Sequence, residues 1–193
     1  ATVVFTATDA CGHQSSCTRT LTVQDTTLPV FSGCPAATID LGWNPAILPT
    51  CAQALALVSA SDVCSGAITP VCSAGPVIDS GCQHSQTFTL TATDLCGLEA
   101  TCAVTYAWRT DSTPPVITCP ANILAYTTDL NGAVVTFTPT ATDNCGGSPT
   151  ITNVPASGSL FPLGTNTVVS TAVEAAGNSS SCSFQVVVTY CDD

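Results

Sequence analysis

Apolar residues alternate with hydroxyl side chains along several short runs of this chain. The clearest runs are residues 88–93 (FTLTAT), 133–138 (AVVTFT) and 183–189 (SFQVVVT). A period of two, rich in β-branched residues and bounded by Gly, Pro, Asn or Asp, is typical of strands buried on one face. Only residues 51–58 have a helix-compatible pattern. The pattern therefore predicts an all-β fold of short strands.

A set of sequence landmarks recurs at intervals of about 80 to 86 residues, which indicates tandem repeats. The landmarks are the turn at residues 6–12 (TATDACG), 91–97 (TATDLCG) and 171–177 (TAVEAAG), the cysteine at 17, 102 and 182, and the linker at 25–29 (DTTLP) and 111–115 (DSTPP). Proline stiffens a linker and blocks strand pairing, so we place the boundaries there. We predict the C-terminal strands of one repeat at residues 1–24, a divergent Cys-rich domain at 25–110 and a further domain at 111–193.

Composition indicates an extracellular or cell-surface location. The chain has 13 cysteines in 193 residues and no Cys-x-x-Cys pair, which favours disulfides formed in an oxidising compartment. Two basic residues and a net charge of -11 exclude nucleic-acid binding, which needs several cationic contacts to phosphate. No apolar run approaches the ~20 residues that span a membrane, so no membrane insertion is predicted. Because the chain opens inside a strand-like run, we expect it to be a region of a larger secreted protein.

Three segments of the third repeat resemble one known domain family. Residues 111–123 (DSTPPVITCPANI) resemble the opening of a hyalin repeat (HYR) domain, residues 141–146 (ATDNCG) its middle and residues 158–168 (GSLFPLGTNTV) its end. The middle repeat shares both ends but has extra cysteines. The resemblance implies tandem immunoglobulin-like β-sandwiches of extracellular adhesion and surface proteins. It brings no catalytic residues, so an enzyme is not predicted.

The implied sandwich predicts two disulfides. In an immunoglobulin-like sandwich of seven strands the first and last strands lie parallel and adjacent. Cys119 lies in the first strand and Cys182 begins the last, so we expect them to be bonded. The repeat then pairs Cys34 with Cys102.

Other cysteine pairings are less constrained by the sequence. Cys64 and Cys96 both follow an Ala-x-Asp-x turn and form a plausible further pair. Cys145 has no equivalent partner, because an alanine replaces the cysteine in the last turn. Cys191 is one candidate partner for Cys145; alternatively, Cys191 forms a disulfide with another chain. The middle repeat has an odd number of cysteines, so one of them reaches outside it or stays free.

Acidic residues and histidines fall at turns and linkers. The first interpretation of the recurring aspartates is that they cap turns by accepting backbone N–H groups. The alternative is Ca²⁺ at the domain junctions, with Asp25 and Asp111 as candidate ligands, because hard cations favour clustered carboxylates. No other cofactor or metal is predicted. His13 and His84 lack a neighbouring catalytic set and are interpreted as exposed turn residues.

Three further residues are candidates for surface chemistry. Asn178 opens the sequon Asn-Ser-Ser on the turn before the last strand, where we expect an exposed glycan. Trp43 lies in a loop-like segment and is the candidate contact for a sugar or partner chain. Trp108 lies in an alternating run, so packing is its expected role.

These observations favour a structural or adhesive array that forms part of a cell-surface stalk, filament or flagellar hair, including an algal mastigoneme-like hair. Its expected partners are neighbouring copies of itself, other surface glycoproteins or glycans. If the first two strands complete a neighbouring subunit, assembly proceeds by strand addition. The alternative function is a glycan- or receptor-binding module of a secreted adhesin or enzyme.

Overall fold

A computed structural model describes residues 1–192, and its regular secondary structure is almost entirely β-strand, as the alternating pattern predicted. The strands are β1 (Thr2–Thr8), β2 (Gln14–Thr20), β3 (Val30–Ser32), β4 (Ile39–Trp43), β5 (Ser59–Asp62), β6 (Gly66–Ile68), β7 (Val71–Ser80), β8 (Gln83–Thr93), β9 (Glu99–Arg109), β10 (Val116–Thr118), β11 (Ile123–Thr127), β12 (Ala133–Val134), β13 (Thr140–Thr142), β14 (Thr150–Val154), β15 (Leu160–Phe161), β16 (Gly164–Val173) and β17 (Ser179–Tyr190). One short helix, α1 (Cys51–Leu55), lies in the helix-compatible segment.

The chain divides into two compact units. The first contains Ala1–Ile39, Pro49–Pro76 and Gln86–Thr105, and the second contains Asp40–Leu48, Val77–Ser85 and the chain from Tyr106 onward. These units do not follow the sequence repeats, whose boundaries at 24/25 and 110/111 remain a prediction.

The first unit contains a hairpin, a small sheet and the helix. Strands β1 and β2 pair antiparallel, and all of their residues are exposed. Strands β3, β5 and β6 form an antiparallel sheet. Helix α1 begins with a capping box, in which the Thr50 side chain accepts from the backbone N–H of Gln53 and the Gln53 side chain accepts from that of Thr50. This box compensates for the shortness of the helix.

The long strands of the middle of the chain form a four-stranded sheet with the order β4-β9-β8-β7. Alternate residues of β8 are buried, namely Phe88, Leu90 and Ala92, each at most 2% exposed. This period of two is what the alternating run predicted, because successive strand side chains point to opposite faces.

The second unit has a four-stranded sheet with the order β11-β17-β16-β14 and the two-stranded ladders β10-β13 and β12-β15. Strands β16 and β17 form a long antiparallel hairpin, and β11 pairs with β17 in parallel. The core of this unit consists of Val135, Phe137, Phe161, Val168, Phe184, Val186 and Val188. The ring of Phe137 packs edge-on against that of Phe184 at 4.9 Å between centroids, so aromatic contact adds to apolar burial.

The predicted first strand of the third repeat is split in two. Residues of β10 pair with β13, and only after Cys119 and Pro120 does the chain pair with β17 as β11. The predicted strand at 133–138 is wrong in extent, since only Ala133 and Val134 form a ladder. Beyond it the N–H of Phe137 donates to the Ser157 hydroxyl, so that segment keeps its alternating burial without strand pairing.

Four disulfides cross-link the chain within residues 1–192. Cys34 is bonded to Cys102 and Cys119 to Cys182, the two pairs predicted from the implied sandwich. The other two are Cys51–Cys72 and Cys82–Cys145. Cys82 is thus the member of the middle repeat that reaches outside it, and it supplies the partner that the repeat pattern did not give Cys145.

The predicted pair of Cys64 and Cys96 is not formed, and both residues are free and exposed. The Cys64 sulfur instead lies within 4.8 Å of an Asp25 carboxylate oxygen, and this neighbouring carboxylate raises the pKa of the thiol. Disulfide formation proceeds through a thiolate, so a carboxylate beside the sulfur disfavours it. Cys11, Cys17 and Cys191 are also free and exposed.

Candidate functional site

The turn that joins the last two strands of the third repeat positions a carboxylate. The N–H of Glu174 donates to the carbonyl of Asn178 at 3.1 Å, and the N–H of Gly177 donates to the carbonyl of Glu174 at 3.1 Å. Gly177 has a φ of 93°, which side chains with a Cβ disfavour. Residues 94–98 and 9–13 form the same turn, so the acid in these turns has one local position in all three repeats.

Asp111 lies at the start of the third repeat and is 6% exposed. Its Oδ1 accepts the N–H of Thr113 at 2.8 Å. Its backbone is held by Asn44, whose side chain accepts the N–H of Asp111 at 2.9 Å and donates to its carbonyl at 2.8 Å. The Oδ2 atom of Asp111 is buried and has no hydrogen-bond partner. One carboxylate oxygen therefore caps a turn and the other has no partner.

Asp143 repeats this arrangement in the turn after β13. Its Oδ1 accepts the N–H of Cys145 at 2.9 Å, and its Oδ2 is buried without a partner. One oxygen of Asp111, one oxygen of Asp143 and the sulfur of Cys145 lie within 4.8 Å of one another. Because that sulfur is bonded to Cys82, it cannot act as a thiolate ligand. The candidate ligand atoms at this place are therefore the carboxylate oxygens of Asp111 and Asp143.

Glu174 is 9% exposed, and the Asn178 side-chain amide connects it to Asp111 by donating both to the Glu174 carboxyl and to the Asp111 carbonyl. Burial raises its pKa most, the amide of Asn178 opposes that rise, and the neighbouring Asp111 and Asp143 carboxyls raise the pKa further. Asp111, Asp143 and Glu174 are named here the 111/143/174 cluster. The raised pKa of Glu174 reflects three acidic groups crowded into a poorly solvated place.

No basic group of the described residues neutralises the 111/143/174 cluster. The ion pairs of residues 1–192 are His13–Asp9, His84–Asp79 and Arg109–Asp40, and none includes a member of the cluster. The whole chain has only two Lys or Arg residues. Buried carboxylates normally find a cationic partner or a metal ion, so this cluster has the composition of a cation site.

A second acidic cluster lies in the first unit. Oxygens of Asp25 and Asp62 lie within 4.8 Å of each other and of the Cys64 sulfur. The Thr27 hydroxyl bonds to both carboxylates, at 2.6 and 3.1 Å. Asp62 also accepts the N–H groups of Cys64 and Ser65, and the Ser65 bond is the largest cause of its lowered pKa. These three residues, Asp25, Asp62 and Cys64, are named here the 25/62/64 cluster.

Unpartnered oxygens also occur at and near this cluster. The Oδ2 of Asp25 is buried without a partner, and so is that of Asp94, which is 7% exposed and is the equivalent of Glu174 in the repeat. The Thr27 side chain and N–H together lower the pKa of Asp25.

The sequence located part of these clusters. Asp25 and Asp111 were the predicted Ca²⁺ candidates, and each belongs to a cluster of acidic groups. Asp62 and Asp143 belong to the recurring turn aspartates but were not singled out as Ca²⁺ ligands, and Glu174 was missed. The repeat contains the signal that identifies Glu174, because an acid occupies the same turn position in all three repeats.

Trp43 does not lie in a loop, as its sequence neighbours suggested, but ends strand β4 and is half-buried. The Arg109 guanidinium lies over its ring, 5.5 Å from the centroid, and also bonds to Asp40 at 3.0 Å. This cation–π contact covers a ring face that a sugar would need. The strand pairing of β4 explains the difference from the loop prediction.

Asn178, the predicted glycosylation site, makes structural contacts in the folded chain. Its side chain is half-buried, and its amide nitrogen donates to the Asp111 carbonyl at 3.1 Å and to the Glu174 carboxyl. A glycan attaches through this nitrogen and replaces one of its two hydrogens, so modification would remove the donor of one of these two hydrogen bonds. Asn178 therefore acts in the folded chain as a support for two members of the 111/143/174 cluster.

The two histidines differ in environment. His13 is an exposed turn residue as expected, bonded to Asp9 at 2.9 Å. His84 begins strand β8 and is largely buried, with its ring stacked on Trp108 and bonded to Asp79 and Thr110 at 2.6 and 2.7 Å. Trp108 is 4% exposed, so it packs in the interior as its alternating run indicated.

Comparisons with known proteins identify the third repeat. Residues 110–188 match the HYR domain family, so the resemblance read from this part of the sequence is confirmed. Hyalin of Lytechinus variegatus is 28% identical over 99% of this chain, which spans 37% of that relative. Hyalin of Strongylocentrotus purpuratus is 36% identical over 51% of this chain and 9% of its own length. The chain thus spans well under half the length of these relatives.

Solved structures with some similarity are cadherin repeats. The protocadherin gammaB7 EC3-6 cis-dimer structure matches 97% of this chain and 57% of its own, with a TM-score of 0.45 and 14% identity. Mouse cadherin-23 EC22-24 matches 98% of this chain and 74% of its own, with a TM-score of 0.41 and 11% identity. At these TM-scores the similarity does not establish a shared fold. Among the described residues, no helix is long and apolar enough to cross a membrane.

Proposed function

We propose that this chain is a segment of an extracellular, disulfide-stabilised array of repeats with a structural or adhesive role at the cell surface. The observation that carries this proposal is the disulfide of each of the two longer repeats, Cys34–Cys102 and Cys119–Cys182, at equivalent positions. Such bonds persist in oxidising compartments and stabilise small domains against unfolding outside the cell. The HYR domain at residues 110–188 and the hyalin relatives support the same role.

The domain organisation in this proposal follows the sequence period: 1–24, 25–110 and 111–193. Its partners are neighbouring copies of the chain or other surface glycoproteins, and its larger form is a stalk, a filament or a hair-like appendage. Ca²⁺ belongs to the proposal as a cofactor, because Asp25 and Asp111 each lie in an acidic cluster.

The first hairpin supports assembly by pairing with further strands. By the repeat, Val3 and Phe5 are equivalent to Phe88 and Leu90, which are 2% and 0% exposed. Val3 and Phe5 are instead 40% and 57% exposed. An apolar row that is buried in one copy of the repeat is exposed in another. Further strands, from the same or a neighbouring chain, could cover this exposed row.

An association assay tests the proposed function. Beads coated with the purified oxidised chain should aggregate with each other, because adhesion needs only copies of the same array. Beads coated with the reduced and alkylated chain should not aggregate, since closure of the repeats by disulfides is lost. If oxidised beads stay dispersed and the chain binds no surface glycoprotein in a pull-down, the adhesive role is wrong.

A glycan- or receptor-binding module is the alternative proposal. Trp43 was its candidate contact, and the Arg109 guanidinium over the ring gives this alternative less support. Glycan-array binding that disappears in Trp43→Ala but persists in Trp43→Phe would favour it over the adhesive array.

A further inference from the structure

We propose that Asp111, Asp143 and Glu174 together bind one Ca²⁺ ion within the third repeat. This inference rests on the proposed function in that it assigns the Ca²⁺ cofactor to named ligands, and its evidence is the geometry of the second unit alone. Asp111 opens the repeat, Asp143 follows β13 and Glu174 follows β16, so the ion would join three segments far apart in the chain.

The unpartnered oxygens are the first support. Asp111 is more than nine-tenths buried, and its Oδ2 accepts no hydrogen bond. Asp143 as a residue is half-buried, but its Oδ2 atom is buried and also has no hydrogen-bond partner. A turn cap uses one carboxylate oxygen, and here the Oδ1 atoms already fill that role. Because buried acceptors without partners are costly, two of them in one place indicate a ligand that they share.

The charge balance is the second support. Asp111 and Glu174 are buried and Asp143 is half-buried, and no ion pair of the described residues includes any of the three. Arg109 is the nearest basic residue along the chain, and its guanidinium is already bonded to Asp40. A divalent cation supplies the charge that the chain itself lacks.

The spacing is the third support. An oxygen of Asp111 and one of Asp143 lie within 4.8 Å of each other. Ca²⁺ binds oxygens at about 2.3–2.6 Å, so two oxygens of one ion lie at most about 5 Å apart. The carboxylates are also held in place, since backbone N–H groups fix Asp111 and Asp143 and the Asn178 amide fixes Glu174.

The donor set selects the class of ion. All three side chains offer oxygen, and the nearby Cys145 sulfur is in a disulfide, so thiophilic metals have no ligand here. Mg²⁺ requires near-ideal octahedral geometry and keeps most of its waters, whereas Ca²⁺ accepts irregular sets of six to eight oxygens. Three carboxylates on three separate turns suit Ca²⁺ better.

Calorimetric titration of CaCl₂ into the chelator-treated chain tests the site. The variant Asp143→Asn/Glu174→Gln should bind one Ca²⁺ fewer than the wild type, because two of three anionic ligands are lost. The matched control is Asp129→Asn, which changes an exposed turn aspartate outside the cluster and should bind as many ions as the wild type. MgCl₂ at the same concentrations should give at least tenfold weaker binding at this site.

Thermal unfolding supplies a second readout. Ca²⁺ should raise the melting temperature of the wild type and of Asp129→Asn, since an ion that binds only the folded state stabilises it. Because any other site would still respond, the Ca²⁺-induced rise should be smaller in the double variant, and in Glu174→Gln alone Ca²⁺ affinity should fall at least tenfold. The single variant also keeps the test decisive if the double variant does not fold.

Equal Ca²⁺ stoichiometry and affinity in the wild type, Glu174→Gln and Asp129→Asn would overturn the site. The bead assay of the proposed function is independent of this result. A chain that binds Ca²⁺ as described but does not associate contradicts the adhesive role and leaves the site in place. A chain that associates but binds no Ca²⁺ contradicts the site alone.

Discussion

The 25/62/64 and 111/143/174 clusters begin from the same sequence landmarks and differ in how their charges are satisfied. In both, an aspartate opens the repeat and a second aspartate lies two residues before a cysteine. Asp62 accepts three hydrogen bonds, from Thr27, Cys64 and Ser65. Asp143 accepts one, from the N–H of Cys145.

The cysteine explains part of the difference. Cys64 is a free thiol within 4.8 Å of the Asp25 carboxylate, so it offers an S–H donor to its cluster. Cys145 is bonded to Cys82 and supplies no S–H donor. The carboxylates of the 25/62/64 cluster therefore accept most of their hydrogen bonds from protein donors. The 111/143/174 cluster has more carboxylate oxygens without a protein donor, and these oxygens can bind an external cation. Equivalent positions in a repeat thus share local geometry without sharing chemistry.

The largest expected effect comes from removing the disulfide that distinguishes the clusters. Cys82→Ser/Cys145→Ser opens a loop of 63 residues, which should lower the free energy of unfolding by up to about 4 kcal/mol. Urea denaturation of the oxidised chain measures this loss. Cys64→Ser is the control, because serine keeps a donor to Asp25 and should change stability by less than about 0.5 kcal/mol. Similar losses in both variants would contradict the distinct roles of the two cysteines.

The next effect concerns the two middle aspartates. In the presence of a chelator, Asp62→Ala should lower the melting temperature by about 5 °C, because three donors lose a buried acceptor. Asp143→Ala should lower it by less than about half as much, since one hydrogen bond is lost and crowding with Asp111 and Glu174 is relieved. Differential scanning calorimetry compares the two. A larger fall in melting temperature for Asp143→Ala than for Asp62→Ala would contradict the difference between the two clusters.

The free thiol gives a smaller, chemical effect. Asp25 raises the pKa of Cys64, so Asp25→Asn should speed alkylation of Cys64 by iodoacetamide severalfold at pH 8. Mass spectrometry of timed samples measures the rate at each cysteine, and exposed Cys191 is the internal control. Cys145 should remain unmodified until the chain is reduced. An unchanged Cys64 rate would show that the carboxylate does not act on the thiol.

Acid dependence should give the smallest effect. Hydrogen bonds from Ser65 and Cys64 hold the pKa of Asp62 below its usual 3.8. A carboxylate with a lowered pKa stabilises the fold above the unfolded-state value, and this contribution is lost as pH falls from about 4 through the lower folded-state value. The wild type and Asp143→Ala should therefore lose stability steeply below pH 4, and Asp62→Ala less steeply. If the wild type, Asp143→Ala and Asp62→Ala lose stability equally steeply below pH 4 in the presence of a chelator, the assignment of this acid response to Asp62 is contradicted.

The strands and the principal disulfides were predictable because they follow from local pattern and repetition. The alternation of β8 gives its buried face directly, as Phe88 and Leu90 show. The split of the first strand at Cys119 and Pro120 was not predicted, because the choice of β13 or β17 as partner is made by tertiary packing. The pairing of Cys82 with Cys145 was missed for the same reason, since neither has a partner at the repeat spacing.

The acidic sites were only half predictable. Asx-type turns are local, so the sequence located Asp25, Asp62, Asp111 and Asp143 at turns. Which carboxylates come close together depends on how strands far apart in the chain pack. This packing brings Glu174 near Asp111, and no sequence pattern indicates that contact. The half-burial of Asn178 has the same origin.

The bond between Cys119 and Cys182 also sets how the third repeat responds to mechanical load. Its sulfur atoms connect chain segments 63 residues apart. If the ends of the repeat are pulled, the residues between these cysteines bear no tension, because the covalent bridge carries the force past them. Opening the bridge by reduction would release about 200 Å of contour length. A repeat of this kind is nearly inextensible while oxidised, and its length under load is controlled by thiol chemistry.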